Sequence, residues 1–155
     1  GVSVYVPGQV SDLEDGCMEH LVGAGAQEWS AMSVPLDLEE ERWVILRNNT
    51  HTVERQRVTY LEECWHILLG HRPTKIAKVG DVYGRTFGSA EEDDAYYLAA
   101  ACMLPEITLR EAVNRKQTAS EIGATFGISS QLVEYRIKRL GLWRTYKEKG
   151  IGLKE

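Results

Sequence analysis

The sequence predicts an α+β fold, with a small antiparallel sheet packed against helices and a helix-turn-helix-like helical extension at the end of the chain. Three observations predict it: short alternating segments before residue 47, two longer helical patterns between residues 53 and 103, and three short helical patterns after Pro105. With 155 residues, of which 43% are hydrophobic, the chain can bury one sizeable core and a small additional lobe.

The first part of the chain contains the predicted strands. Residues 2–6 alternate and stop at Pro7 and Gly8, which form a turn signal. After a weak helical pattern over residues 12–22, two further strands are predicted over residues 27–34 and 42–46. The acidic segment 38–41 separates these two strands as a turn, so we expect them to pair in antiparallel fashion.

The longest helical pattern covers residues 53–69. Thr52 can cap its N-terminus, and Gly70 tolerates the left-handed conformation that commonly ends a helix. Apolar residues recur here at spacings of three and four, so one face should be buried. They are Val58, Leu61, Cys64, Trp65, Leu68 and Leu69.

After a glycine-containing loop, a second helix is predicted over residues 91–103. It begins with four acidic residues and is closed by Pro105. Three short helices should follow over residues 108–114, 119–126 and 130–140, with Gly141 as the terminator. The polar residues 143–155 are expected to fray.

Charge is divided unevenly along the chain. Residues 1–105 contain 8 Lys and Arg against 17 Asp and Glu, a net charge of -9, whereas residues 106–155 contain 10 against 6, a net charge of +4. The acidic part argues against a nucleic-acid-coated surface there, while the basic extension permits a polyanion or an acidic partner.

The cysteines and the apolar stretches predict a soluble cytoplasmic protein. Cys17, Cys64 and Cys102 form no CxxC pair and leave one thiol over in any pairing, which favours free and mostly buried thiols in a reducing compartment. The apolar stretches fall short of the roughly 20 residues that cross a bilayer, and the first residues lack a secretory signal. We therefore expect no membrane partner.

Glu62 and His66 form the pattern that carries chemistry. Residues four apart lie on the same face of a helix, so both side chains can contact one ion, while Glu63 is offset by about a quarter turn. In an HExxH peptidase two histidines hold zinc at this spacing, and the glutamate beside the first is the general base. A carboxylate in place of the first histidine is still a zinc ligand, but its charge weakens the metal as a Lewis acid.

Several segments resemble the ImmA/IrrE metallopeptidase family. They are WVILRN at 43–48, RQRVT at 55–59, EECWHILLGH at 62–71 and EDDAYYLAAACMLP at 92–105. The resemblance implies a zincin-like core in residues 1–105 and a helix-turn-helix-like extension in residues 106–155.

The same resemblance implies the roles of the site residues. Glu62, His66 and Glu92 would be the ligands of zinc or another divalent ion, with Asp94 as the alternative third ligand, and Glu63 would be the general base on metal-bound water. The function implied is that of a metal-dependent endopeptidase acting on a regulatory protein of the repressor type, in a prophage or other mobile element.

The chain departs from the family pattern at three positions. Glu62 replaces a histidine, Val58 replaces the usual aromatic residue, and Trp65 stands where a small residue is common. These departures favour an alternative function, that of a catalytically inactive pseudo-peptidase serving as a protein- or DNA-binding regulatory module.

Some site residues also have purely structural interpretations. Thr59 and Glu62 match a capping box, and the acids at 91–94 can equally stabilise a helix N-terminus. His71 lies five residues after His66 and is expected to point elsewhere, outside the ligand set. His20 and His51 are expected on the surface.

The extension has two interpretations as well. A helix, a glycine turn and a second helix capped by Ser129 are typical of helix-turn-helix modules. In a DNA-binding module, Ser130, Gln131, Glu134 and Tyr135 would approach the bases, and Arg136, Lys138 and Arg139 would contact phosphates. The acidic side chain of Glu134 on this face favours the other interpretation, a packing extension of the core.

Overall fold

A computed structural model describes residues 1–11, 15–37, 41–72, 75–79 and 82–151, with the backbone alone for residues 15, 37, 75–79 and 82–86. The chain forms two compact units, Gly1–Tyr96 and Tyr97–Glu155. The strands are β1 (Val2–Tyr5), β2 (Ala31–Asp37), β3 (Arg42–Arg47), β4 (Lys75–Val79) and β5 (Val82–Thr86). The helices are α1 (Asp15–Val22), α2 (Val53–Leu68), α3 (Ser89–Met103), α4 (Glu106–Asn114), α5 (Ala119–Phe126), α6 (Ser130–Arg139) and α7 (Trp143–Glu148). The α+β class is as predicted.

The three-stranded sheet has the order β1-β3-β2 and is mixed. β2 runs antiparallel to β3, as predicted, with Ser33 opposite Ile45. β1 runs parallel to β3, with Val4 opposite Ile45, so the small sheet that was predicted as antiparallel also contains one parallel pair. A parallel pair needs a long crossover, and the segment between β1 and β3, which contains α1 and β2, is long enough to supply one.

The side chain of Asn48 joins the turn before β2 to the segment before α2. Asn48 is buried, with only 1% of its surface exposed. Its Nδ2 donates to Ala26 O at 2.7 Å and to Trp29 O at 3.0 Å. Its Oδ1 accepts from the backbone N–H and the hydroxyl of Thr50, at 2.9 and 2.7 Å. The carbonyls of Ala26 and Trp29 bond to Asn48, and Glu28 N donates to Gly25 O in a turn, so β2 begins at Ala31 rather than at the predicted residue 27.

Asn48→Ala is expected to lower the free energy of unfolding by about 1–3 kcal/mol, because it removes the Asn48 donor to Trp29 O and the acceptor of the two Thr50 groups, while Ala26 O keeps its contact with His51 Nε2. Urea unfolding would measure the change. The matched control is Asn49→Ala, since Asn49 is exposed; its change should stay within about 0.5 kcal/mol. Equal stability of the two variants would show that the Asn48 bonds contribute little.

The helix α2 begins at the predicted residue and ends one residue earlier than predicted. The hydroxyl of Thr52 accepts from Arg55 N at 3.4 Å, and Gly70 adopts φ 68 beyond the C-terminus. Thr59 lies within the helix, where its hydroxyl donates to Arg55 O at 3.0 Å, so the capping-box interpretation of Glu62 is wrong. The predicted apolar face does not reach the helix end, because Leu68 is 71% exposed.

The segment predicted as a loop before α3 contains two paired strands. β4 and β5 pair antiparallel, with Ala77 opposite Gly84. α3 then begins at Ser89, two residues before the predicted start. Glu91 stabilises this N-terminus, since its Oε2 accepts from Gly88 N at 2.7 Å. Glu91 therefore has the capping role that composition predicts for an acid in the first turn.

The second unit contains α4 to α7. Thr118 and Glu121 form a capping box at the start of α5, and Gly127 ends it with φ 61. Ser129 caps α6 by accepting from Leu132 N at 3.2 Å. The predicted boundaries of these two helices are confirmed to within one residue. Residues 143–148, predicted to fray, form α7 instead, and Tyr146 Oη accepts from Ala119 N at 2.8 Å.

The three cations predicted to contact DNA phosphates all contact groups within their own unit. Arg136 is 2% exposed; its Nε donates to Leu104 O at 3.3 Å, and its guanidinium lies over the Tyr97 ring. Lys138 pairs with Glu134 at 3.7 Å, and Arg139 also lies over Tyr97. The buried position of Arg136 removes it from any surface on which a phosphate could bind.

Two further findings concern the cysteines and the helices. Cys17 and Cys102 are exposed and Cys64 is partly buried, so the prediction of mostly buried thiols is wrong for two of the three. Within the described ranges, no helix combines the length and the apolar character that crossing a bilayer requires.

Candidate metal centre

His66 is the most buried residue of α2 and the centre of the candidate site. It is 1% exposed, and its ring stacks on Phe87 with a centroid distance of 3.7 Å and an interplanar angle of 11°. Its Nε2 lies 3.4 Å from Glu92 Oε2, and its Nδ1 lies 3.0 Å from His71 Nδ1. Both ring nitrogens therefore face polar partners.

Glu62, one turn before His66, is partly buried beside other carboxylates. Burial is the main cause that raises its pKa to about 7, and the nearby carboxylates of Glu92 and Glu63 raise it further. The His66 imidazole opposes this rise. The predicted ligands Glu62, His66 and Glu92 are thus close enough to influence one another.

Glu63 lies on the neighbouring face of α2, near β2. Burial raises its pKa, and Glu92 adds to this rise, whereas Ser33 and His66 oppose it. Among the described atoms, Glu63 Oε2 is buried without a hydrogen-bond partner, and so is the Ser33 hydroxyl, so the contact between them falls short of a formed hydrogen bond. A buried carboxylate oxygen without a donor is rare and is suited to accepting a proton.

The acids at the start of α3 have different positions. Glu92 contacts His66, Glu91 caps the helix, and Asp94 is exposed. The geometry therefore favours Glu92 over Asp94 as a partner of His66.

His71 is the site residue that the sequence interpretation missed. Its backbone N–H donates to His66 O at 2.9 Å, and Gly70 N donates to Ile67 O at 3.1 Å. These two bonds, with Gly70 in the left-handed region, form the Schellman motif that folds the chain back over the last helical turn. The glycine after the helix was the available signal, because this motif commonly brings the second residue beyond the helix end against the last turn.

Comparison with known families shows to which family the chain belongs. The Peptidase_M78 model, described as the IrrE N-terminal-like domain, matches residues 27–138. The chain belongs to this family. The match includes β2, β3, α2 and α3, and it continues through α4 and α5 into α6. No curated protein and no solved structure matches the chain.

Membership of the IrrE N-terminal-like family makes this a metallopeptidase-like chain, from a family that is generally metal-dependent. Among the described side chains, no three His, Cys, Asp or Glu residues are arranged to hold a metal ion. One pair of nitrogen and oxygen donors nevertheless has a separation that suits a divalent cation. Two ligands of a tetrahedral zinc ion lie roughly 3.3 Å apart, close to the 3.4 Å between His66 Nε2 and Glu92 Oε2. A cation would also offset the mutual repulsion of three carboxylates.

The raised pKa of Glu62 predicts a stability that depends on pH in this IrrE-like chain. Between the ordinary value of 4.5 and the folded value of about 7, the native state keeps a proton that the unfolded state has lost. Stability without metal should therefore fall as the pH rises through this range, by about 2 kcal/mol. Glu62→Gln should reduce this fall, and the remainder is expected from Glu63, whose pKa burial also raises.

Urea unfolding at pH 5 and pH 7.5 in the presence of a chelator would measure this loss of stability with rising pH. Glu54→Gln is the matched control, because Glu54 lies at the start of the same helix and its pKa is lowered, mainly by a backbone hydrogen bond. The control should keep the pH dependence of the parent chain. An unchanged pH dependence in Glu62→Gln would contradict the burial of Glu62.

Proposed function

We propose that the chain is a zinc- or other divalent-metal-dependent endopeptidase that acts on a regulatory protein of the repressor type. The observation that carries this proposal is the 3.4 Å contact between His66 Nε2 and Glu92 Oε2, with the buried carboxylates of Glu62 and Glu63 on the same helix as His66, in a chain of the IrrE N-terminal-like family. Glu62, His66 Nε2 and Glu92 would hold the cation. When bound, it would polarise the scissile carbonyl and make water easier to deprotonate.

Glu63 is the proposed general base. Because burial raises its pKa, it is a stronger base than a surface glutamate, and its Oε2 has no hydrogen bond to give up among the described residues. It takes a proton from water as the oxygen bonds to the peptide carbon. It then passes that proton to the amide nitrogen as the C–N bond breaks.

His66 and Glu62 determine how the cation would be held. The stacking of His66 on Phe87 restricts ring rotation, so its nitrogens keep fixed directions. Glu62 contributes a negative charge where the family has a neutral histidine. We therefore expect tight binding of a divalent ion but weaker Lewis acidity, and slower turnover than with two histidines.

Cleavage of a proteome-derived peptide mixture tests this function. The zinc-loaded chain should create new peptide N-termini, detected by mass spectrometry, and chelation should abolish them until zinc is restored. A panel of purified repressor-type regulators tests the substrate, with cleavage expected for a member of that panel and not for unrelated folded proteins. A zinc-loaded chain that creates no new termini in either sample would contradict the endopeptidase function.

A second candidate function is that of a catalytically inactive regulatory module that binds a protein or DNA without cleaving it. Two observations favour it: the carboxylate of Glu62 in place of a histidine, and the lack of a preassembled three-ligand set among the described side chains. Binding of a repressor-type regulator that survives uncleaved, by a chain that retains no zinc, would favour this module over the peptidase.

A further inference from the structure

We propose that His71 is a positioning residue of the metal centre, which fixes the orientation of the His66 imidazole and the nitrogen that carries its proton. This inference rests on the proposed metal-binding function. His71 would not contact the cation itself; it would act through its hydrogen bond with His66.

The contact between the two histidines is held from both the backbone and the side chains. His71 N donates to His66 O at 2.9 Å, while the two Nδ1 atoms lie 3.0 Å apart. The rings meet edge to face, with centroids 5.1 Å apart and an interplanar angle of 64°. The Schellman turn at Gly70 therefore presents the His71 ring to a fixed edge of the His66 ring.

Stacking on Phe87 alone would leave the orientation of His66 ambiguous. An aromatic face holds the plane of the imidazole, but it distinguishes poorly between the two ring positions that exchange when the ring flips by 180°. A hydrogen bond to Nδ1 does distinguish them, because a carbon at that position neither donates nor accepts in the same way. The His71 contact thus directs His66 Nε2 toward Glu92.

The same contact determines where the proton lies. A hydrogen bond between two Nδ1 atoms needs one nitrogen with a hydrogen and one without. A histidine that binds a cation through Nε2 must keep its proton on Nδ1. His66 then donates to His71, and His71 carries its own proton on Nε2.

The opposite arrangement is available without a cation. If His71 Nδ1 donates to His66 Nδ1, the His66 proton lies on Nε2 and points toward Glu92 Oε2, 3.4 Å away. The two arrangements differ in which nitrogen of His66 carries its proton. Cation binding should therefore exchange the two tautomers of His66.

Two variants of similar shape separate a positioning role from a general packing role. Asparagine keeps a polar acceptor near the position of the His71 Nδ1 atom. Leucine has nearly the same shape as asparagine but has no acceptor. We expect His71→Leu to weaken zinc binding by about 10- to 100-fold, and His71→Asn to stay within about threefold of the parent chain. Competition with a chromophoric chelator would measure the zinc affinity.

Nitrogen-15 NMR of the imidazoles supplies a readout that does not involve activity. The zinc-loaded parent chain should show the proton of His66 on Nδ1, and the chelated chain should show it on Nε2. Unfolding of the chelated variants controls for damage to the fold, and the leucine and asparagine forms should unfold at similar urea concentrations.

Three outcomes would overturn the inference, and they have different meanings. Unchanged zinc affinity in His71→Leu, with the parent chain binding zinc, would remove the role of His71 alone. A loss beyond about a thousandfold in both variants would instead make His71 a ligand. A parent chain that binds no zinc would overturn the proposed function and, with it, this inference.

Discussion

His66→Ala is expected to weaken zinc binding by at least about a thousandfold, or roughly 4 kcal/mol. His66 supplies the one nitrogen donor of the proposed set, and its Nε2 lies 3.4 Å from Glu92 Oε2. Without it, the carboxylate of Glu92 and that of Glu62, whose pKa Glu92 already raises, would have to hold the ion alone. Competition titration against a chelator of known affinity would measure the loss.

The matched control for this variant is His20→Ala. His20 lies on α1 and is exposed, so its removal deletes a histidine without touching the candidate centre. Its zinc affinity should equal that of the parent chain within about threefold. Similar affinities for the His66 and His20 variants would place the zinc elsewhere on the chain.

Glu63→Gln is expected to lower the rate of peptide cleavage by about 100- to 10,000-fold while leaving the zinc content unchanged. Glutamine keeps the size of the side chain but cannot accept the proton from water. The unpartnered Oε2 and the raised pKa are the features that make this carboxylate suited to the task. Initial rates on a peptide identified in the mixture digest, together with metal analysis, would measure both quantities.

Glu91→Gln provides the comparison for Glu63→Gln. Glu91 lies on α3 near the same site, but its Oε2 accepts from Gly88 N and caps the helix. Its replacement should cost some stability and leave cleavage within about threefold of the parent rate. Loss of zinc from Glu63→Gln, or an undiminished rate, would rule out a role limited to proton transfer.

Local signals were sufficient to predict the helices that carry the site. Thr52 and Gly70 mark the ends of α2. The separation of four residues between Glu62 and His66 places both on one face of the helix. Likewise, the capping residue Ser129 and the left-handed Gly127 mark α5 and α6. These signals involve residues only a few positions apart, so they can be recognised in the sequence alone.

Features that depend on tertiary contacts could not be predicted in the same way. The parallel pairing of β1 with β3 depends on the path of the chain between them. Arg136 was expected in solvent, as most arginines are, yet it is buried between Leu104 O and the Tyr97 ring. Its burial depends on residues more than thirty positions away.

In the candidate site, too, the features set by local sequence could be predicted and those set by tertiary contacts could not. Helical spacing predicts that Glu62 and His66 are neighbours, whereas the contact with Glu92 came from family resemblance and is a contact between two helices. His71 was expected outside the site because it lies five residues from His66 and beyond the helix end. The turn at Gly70 reverses the chain there and brings the second histidine back to the first.

X-ray absorption at the zinc edge would show which atoms surround the ion in the chain loaded with one equivalent of zinc. We predict a shell of nitrogen and oxygen atoms at about 2.0–2.2 Å that contains a single imidazole. A sulfur atom at about 2.3 Å, or a second imidazole in the shell, would contradict a centre formed by Glu62, His66 and Glu92.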